Sequence, residues 1–169
     1  MKVAILTVSD KGAAGKREDL SGAAIVEEIA DIGGEVVTRD ILPDERDQLS
    51  ERFKYYADEL GIELVLTTGG TGFSPRDWTP EATLDIADRE APGLAEAMRR
   101  ESLKITPHAM LSRAVAAIRG RTLIVNLPGS PKAVRENLRT IKPALPHAIE
   151  ILTGIGGECA VPETHSKSR

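Results

Sequence analysis

Glu63-Leu64-Val65-Leu66-Thr67-Thr68-Gly69-Gly70-Thr71-Gly72 is an apolar run of strand length that ends in a glycine-rich turn. On its N-terminal side, Leu49, Phe53, Tyr56 and Leu60 recur at helical spacing and Gly61 closes that helix. Further upstream, Glu35 to Leu42 reads as a strand ended by Pro43-Asp44. Leu20, Ala24, Ile25, Ile29 and Ile32 mark a helix stopped by Gly33-Gly34. Val3 to Val8 is continuously apolar, as a strand buried on both faces requires. Strands that alternate with helices in this way predict parallel βαβ units.

Downstream of the turn, Thr79-Pro80 predicts an N-cap with proline at the first helical position, opening a helix to about Asp88. A second helix is expected over 94–103. Ala114 to Ile118 and Thr122 to Leu127 flank Arg119-Gly120-Arg121 and predict a hairpin. Ser130-Pro131 repeats the cap-then-proline pattern. Val134, Leu138 and Ile141 give the next helix its buried stripe, and Leu145, Ile149 and Leu152 continue it. The expected fold is therefore α/β, a three-layer sandwich. Its central sheet is mostly parallel, with helices on both faces and a β-hairpin in the C-terminal half. One domain is expected over residues 1–155, followed by a polar tail at 156–169.

The 169 residues are 41% hydrophobic and 28% charged, an ordinary globular balance. Aromatics are only 3%, so Leu, Ile, Val and Ala must build the core. A net charge of -4 argues against a general nucleic-acid binder. The single cysteine, Cys159, excludes a disulfide within the chain and reads as an incidental thiol. His108, His147 and His165 are scattered, which argues against structural zinc. The N-terminal apolar run is a strand rather than a signal peptide. No stretch approaches the ~20 apolar residues of a membrane span, so a cytoplasmic protein that does not engage membranes is expected.

In open α/β sheets, ligands bind beyond the carboxyl ends of the strands. Here those ends deliver Ser9-Asp10, Pro43-Asp44, the Thr68-Gly69-Gly70-Thr71-Gly72 turn and Pro128-Gly129-Ser130. The glycines allow close backbone approach to an anion, or simply make a tight turn. The turn is not a P-loop, for it lacks the lysine. Pro75 stands where a dinucleotide fingerprint needs glycine, and Arg76 where a nucleophile elbow needs it. Pro128-Gly129-Ser130-Pro131-Lys132 sets a hydroxyl and a helix N-terminus beside a lysine. It reads as a phosphate site or as a plain cap. Asp44 and Asp77 are either capping residues or ligands for Mg²⁺, which favours one or two carboxylates plus phosphate oxygens.

Taken together, several segments resemble the signature of the molybdopterin adenylyltransferase and molybdopterin-binding family of molybdenum-cofactor biosynthesis. They are Thr67 to Gly72, Arg76-Asp77, Thr79-Pro80-Glu81-Ala82-Thr83, Asp88-Arg89-Glu90, Pro92-Gly93, Leu111-Ser112-Arg113 and Leu127 to Lys132. Ser9-Asp10 and Leu42-Pro43-Asp44-Glu45 also fit, and the resemblance spans residues 1–155. It implies a single α/β domain, often trimeric, with Asp44 and Asp77 in the active site. The implied reaction transfers AMP from ATP to molybdopterin with Mg²⁺ and releases pyrophosphate. Asp44 and Asp77 would hold metal and nucleotide. Ser9, Asp10, Thr68 and the Gly69–Gly72 turn would line the substrate site with Pro128 and Gly129. Ser130 and Lys132 would meet the pterin phosphate. Hand-over of the product to a molybdenum insertase is a further implication. The alternatives are a non-catalytic molybdopterin-binding paralogue, a detached homologue of the insertase domain, and an oligomeric scaffold. Retention of both aspartates favours the enzyme.

Overall fold

The computed structural model describes residues 1–154. The tail expected at 156–169, with Cys159 and His165, lies outside the described residues. Six strands form one sheet: β1 (Lys2–Val8), β2 (Glu35–Leu42), β3 (Leu64–Thr68), β4 (Arg89–Glu90), β5 (Ala116–Arg119) and β6 (Thr122–Leu127). Their order is β2-β1-β3-β6-β5-β4. The first four neighbours are parallel, whereas β5 runs antiparallel to both β6 and β4. The sheet is thus mostly parallel, and the β5–β6 hairpin turns through Gly120, at φ 54°, and Arg121.

Both faces of the sheet are covered. Val3 and Ile5 of β1, with Leu64 and Leu66 of β3, pack against Ala24, Ile25 and Ile29 of α2 (Leu20–Ile29). The same cluster takes in α5 (Pro92–Leu103), α6 (Pro131–Ile141) and α7 (Leu145–Thr153). Ala4, Leu6 and Val8 point the other way, toward Leu49 and Phe53 of α3 (Arg46–Lys54) and Ala82 of α4 (Thr79–Asp85). Alternate residues of one strand therefore enter opposite cores, which is why β1 is buried from Val3 to Val8 and apolar there except at Thr7. The edge strand β2 instead alternates exposed and half-buried residues.

The structure corrects two boundaries and adds a short helix. Thr79 is the first residue of α4, not its cap, and its hydroxyl donates to the Gly69 carbonyl at 2.9 Å. The helix ends at Asp85 rather than Asp88, because Asp88 leads into β4: its N–H donates to the Ile118 carbonyl of β5 at 2.8 Å. A four-residue helix, α1 (Asp10–Ala13), follows β1 and was not anticipated. Among the described residues, no helix is long and apolar enough to cross a membrane.

One polar pin crosses the core beneath the strand ends. Asn126 of β6 is fully buried, and its amide nitrogen donates to Thr67 Oγ1 at 3.2 Å and Thr83 Oγ1 at 3.0 Å. Its side-chain oxygen accepts from the Val115 N–H at 3.3 Å. Thr83 in turn donates to the Thr79 carbonyl at 2.9 Å, so the pin fixes α4 against the central strands. Asn126→Ala would leave the half-buried Val115 N–H unpaired and remove the two buried bonds to Thr67 and Thr83, a loss of about 2 kcal/mol. Urea denaturation should show the fall in midpoint with an unchanged slope.

Candidate active site

The chain passes from β1 to β2 on one side, then crosses to β3 on the other, so the topological switch lies between β1 and β3. A hollow of about 240 Å³ opens there, lined by Ser9, Gly12, Ser21, Thr68, Gly69 and Gly129 among others. A second, of about 280 Å³, lies beyond the glycine turn against Thr71, Gly72, Pro128 and Arg99. The turn and the Pro128–Gly129 segment form the ridge between them. Thr68 Oγ1 ties the two by donating to the Pro128 carbonyl at 2.7 Å, and Ser21 Oγ donates to the Gly129 carbonyl at 2.7 Å.

The glycines have local reasons. Gly69 and Gly70 have φ of 97° and 65°, which side chains other than glycine rarely adopt. A Cβ on Gly69 would strike the Val8 carbonyl, and one on Gly70 would strike Thr79 Oγ1 and the Asp44 carboxylate. Gly72 has no positive φ, and a Cβ there would meet only Asp77 Oδ2, at 2.9 Å. Gly69 and Gly70 are thus demanded by packing whether or not a ligand binds. The Gly70 and Thr71 N–H groups, however, make no hydrogen bond among the described residues.

Two carboxylates stand beside this turn. Asp44 is only 5% exposed. Its Oδ1 accepts from the Trp78 N–H at 2.9 Å, and its own N–H donates to Asp10 Oδ1 at 3.0 Å. Burial pushes its carboxyl up to about 6. The neighbouring charges of Asp77 and Asp10 push the same way, against the Trp78 N–H and Arg76. Asp77 Oδ2 accepts from the N–H groups of Gly72 at 3.0 Å and Ser74 at 3.1 Å. Among the described residues, Asp44 Oδ2 and Asp77 Oδ1 receive no hydrogen bond. No group of three or more His, Cys, Asp or Glu side chains is placed to hold a metal among the described residues, so these carboxylates are a pair and not a closed cage.

The remaining expected residues divide. Ser9 Oγ accepts from the Gly12 N–H at 3.0 Å and so caps α1. Ser130 Oγ caps α6 through the Ala133 N–H at 3.2 Å. The Lys132 side chain is 81% exposed and lies 3.9 Å from Glu136, on the outer surface of α6 rather than beside the aspartates.

Two arginines join the site, and motif reading gave neither a role. Arg76 donates to both Asp10 oxygens, at 3.0 and 3.2 Å, and to Glu45 at 2.7 Å. Arg113 buckles the loop that carries Asp77. Its Nε donates to the Gly72 carbonyl at 2.7 Å, its Nη2 to the Asp77 carbonyl at 2.7 Å, and its Nη1 pairs with Glu81. Its backbone N–H also donates to the Thr71 carbonyl at 2.8 Å. The signal for Arg113 was its place in the Leu-Ser-Arg motif, but only the fold brings it back to a loop that lies far upstream in the chain.

Residues 4–147 match the family described as a probable molybdopterin binding domain. This chain belongs to that family. The molybdopterin adenylyltransferase of Helicobacter pylori (strain J99) is 42% identical over 90% of the chain and 88% of that protein. Gephyrin of Dictyostelium discoideum is also 42% identical, across 96% of the chain, but the match spans only 24% of gephyrin's own length. Among solved structures, the molybdopterin biosynthesis enzyme MoaB of Thermus thermophilus superposes with a TM-score of 0.85 at 53% identity. That match covers 90% of this chain and 96% of the other. The family's α/β fold, with its mostly parallel six-stranded sheet, is the one described above.

Two outcomes follow from this geometry. Asp44 binds its proton more tightly when folded than when unfolded, so its ionisation weakens the fold as pH rises from about 4 through about 6. Asp44→Asn keeps the acceptor for Trp78 and removes the buried charge. Its Tm should exceed that of the parent by a few degrees at pH 7, and the gain should shrink toward pH 4. Arg113→Ala should free the loop, seen as faster hydrogen exchange at the Gly72 and Ser74 amides while β1 and β3 stay protected.

Proposed function

We propose that this member of the molybdopterin-binding family is a molybdopterin adenylyltransferase. An oxygen of the terminal phosphate of molybdopterin attacks the α-phosphorus of ATP. The bond from that phosphorus to the bridging oxygen breaks, and pyrophosphate leaves. The single observation that carries this reading is the glycine turn. It has two free N–H groups, at Gly70 and Thr71, and beside it stand two carboxylates that each keep one oxygen without a donor among the described residues. Free amides suit phosphate oxygens, and free carboxylate oxygens suit a hard cation. The adenylyltransferase relatives support the same chemistry, since they match nearly the full length of this chain.

The donor set fits Mg²⁺, with Asp44 and Asp77 as its protein ligands. When bound, Mg²⁺ supplies charge neutralisation for the leaving pyrophosphate. The attacking group is already an anion, so no covalent nucleophile is needed and catalysis rests on positioning and electrostatics. The Trp78 N–H and the Gly72 and Ser74 N–H groups orient the two carboxylates. Asp44 must be ionised to hold the cation, so proton and metal compete for it and metal binding weakens as pH falls below about 6. A homotrimer and delivery of adenylyl-molybdopterin to a molybdenum insertase belong to the same reading.

The test is incubation with molybdopterin, Mg²⁺ and α-labelled ATP, followed by a search for labelled pterin. Label transfer should require both molybdopterin and the divalent metal. Molybdopterin binding without label transfer would establish the binding-only paralogue instead. Asp77→Asn can still accept from the Gly72 and Ser74 N–H groups, so the loop should survive. Loss of its charge should lower label transfer about 100-fold, or roughly 3 kcal/mol of transition-state stabilisation. Near-normal turnover in that variant would remove Asp77 from the mechanism.

A further inference from the structure

The acidic side chains at this edge raise a difficulty for any polyphosphate ligand. Asp10, Asp44, Glu45 and Asp77 gather beyond β1, β2 and β3, and a triphosphate brings more negative charge. The guanidinium bound into this group is Arg76. It sits on the loop of the glycine turn, directly before Asp77. Its partners come from the two other strand ends, Asp10 from the start of α1 just after β1 and Glu45 from the loop after β2. The three side chains are about half exposed, at 51%, 47% and 48%. Ion pairs exposed to this degree contribute little to stability, because water and salt compete for both partners. The guanidinium fork matches phosphate oxygens as well as it matches carboxylate. Exchange of one anion for the other therefore has a small barrier in free energy and a strong alternative partner.

We propose that Arg76 is the phosphate-capturing residue of the site, held in reserve by Asp10 and Glu45 until a polyphosphate arrives. The inference rests on the nucleotide reading above and deepens it. In the ligand-free protein the carboxylates hold the fork in place beside Asp44 and Asp77. When nucleotide phosphates enter, Arg76 leaves Glu45 and at least one Asp10 oxygen and pairs with the β- and γ-phosphates. Asp10 keeps the Asp44 N–H, so the Asp44 backbone stays fixed while the guanidinium moves. The exchange leaves the fork on the part of the ligand that departs as pyrophosphate. Glu45 is a competitor in this scheme, and removing its charge should help binding.

The experiment measures binding of Mg·ATP, Mg·pyrophosphate and AMP by calorimetry. Trp78 fluorescence is the second readout, since its N–H holds Asp44 and its ring lies 5.6 Å from the Arg46 guanidinium. Arg76→Ala should weaken ATP and pyrophosphate by about tenfold or more and leave AMP nearly unchanged. Arg76→Lys, which keeps the charge but not the fork, should fall between. Glu45→Gln should tighten ATP and pyrophosphate several-fold. Equal weakening of all three ligands by Arg76→Ala would show a merely structural role and overturn the proposal, as would weaker ATP binding by Glu45→Gln. A parent protein that binds ATP well while Arg76→Ala binds it equally sinks this inference alone. A parent protein that binds neither ATP nor pyrophosphate sinks the nucleotide reading and this inference with it.

Discussion

Strands β1 and β3 are apolar in both directions, so the sheet has to be covered on both faces. Parallel strands joined by crossover helices accomplish that, and they impose a second consequence. The loops after β1, β2, β3 and β6 emerge at one edge, and the reversal between β1 and β3 opens a hollow there. The site is thus a by-product of the way the core is closed. Ser9-Asp10, Asp44 and the glycine turn are far apart in sequence, and the sheet makes them neighbours.

Chemistry at that edge works against stability. Asp44 is buried with one oxygen held by a backbone N–H and the other without a donor, and burial raises its affinity for a proton. A residue chosen only for packing would be neutral. Gly69 and Gly70 relieve part of the crowding, for any side chain on either would collide with the backbone or with side chains already there. The proposed metal and phosphate roles rest on this buried, half-satisfied carboxylate and on the N–H groups of the turn that, among the described residues, have no partner.

Order in the loop comes from its own backbone. The stretch from Gly72 to Asp77 buries little apolar surface, with Phe73 and Pro75 exposed, yet the Asp77 carboxylate closes it from one side and the Arg113 guanidinium from the other. Asn126 and Thr83 secure α4 below, and Thr79 links that helix to the Gly69 carbonyl. Each carbonyl so bound is one fewer unpaired group in a segment that water would otherwise loosen. Rigidity at the aspartates is therefore supplied jointly by Asp77 within the loop and by β6, α4 and Arg113 outside it.

The sequence alone determined the alternation of strands and helices, the hairpin around Gly120, the glycine turn and the two aspartates, because period and turn chemistry are local properties. It also carried the family resemblance, since that lies in short contiguous motifs. It misplaced the start and end of α4 and missed β4. Thr79 looks like a cap in sequence, but the Gly69 carbonyl claims its hydroxyl, and a two-residue strand has no period to read. The Ser130 cap of α6 was legible too, since Ser130-Pro131 is a local pattern. Only the tertiary structure decided that Ser9 is occupied as a cap, that Lys132 faces outward, that Arg76 reaches from the aspartate loop to Asp10 and Glu45, and that Arg113 reaches into that loop. A hydroxyl or a guanidinium has no intrinsic partner. For the two arginines the partner is set by which carbonyls and carboxylates the fold brings within about 3 Å, and those lie in segments that sequence spacing cannot align.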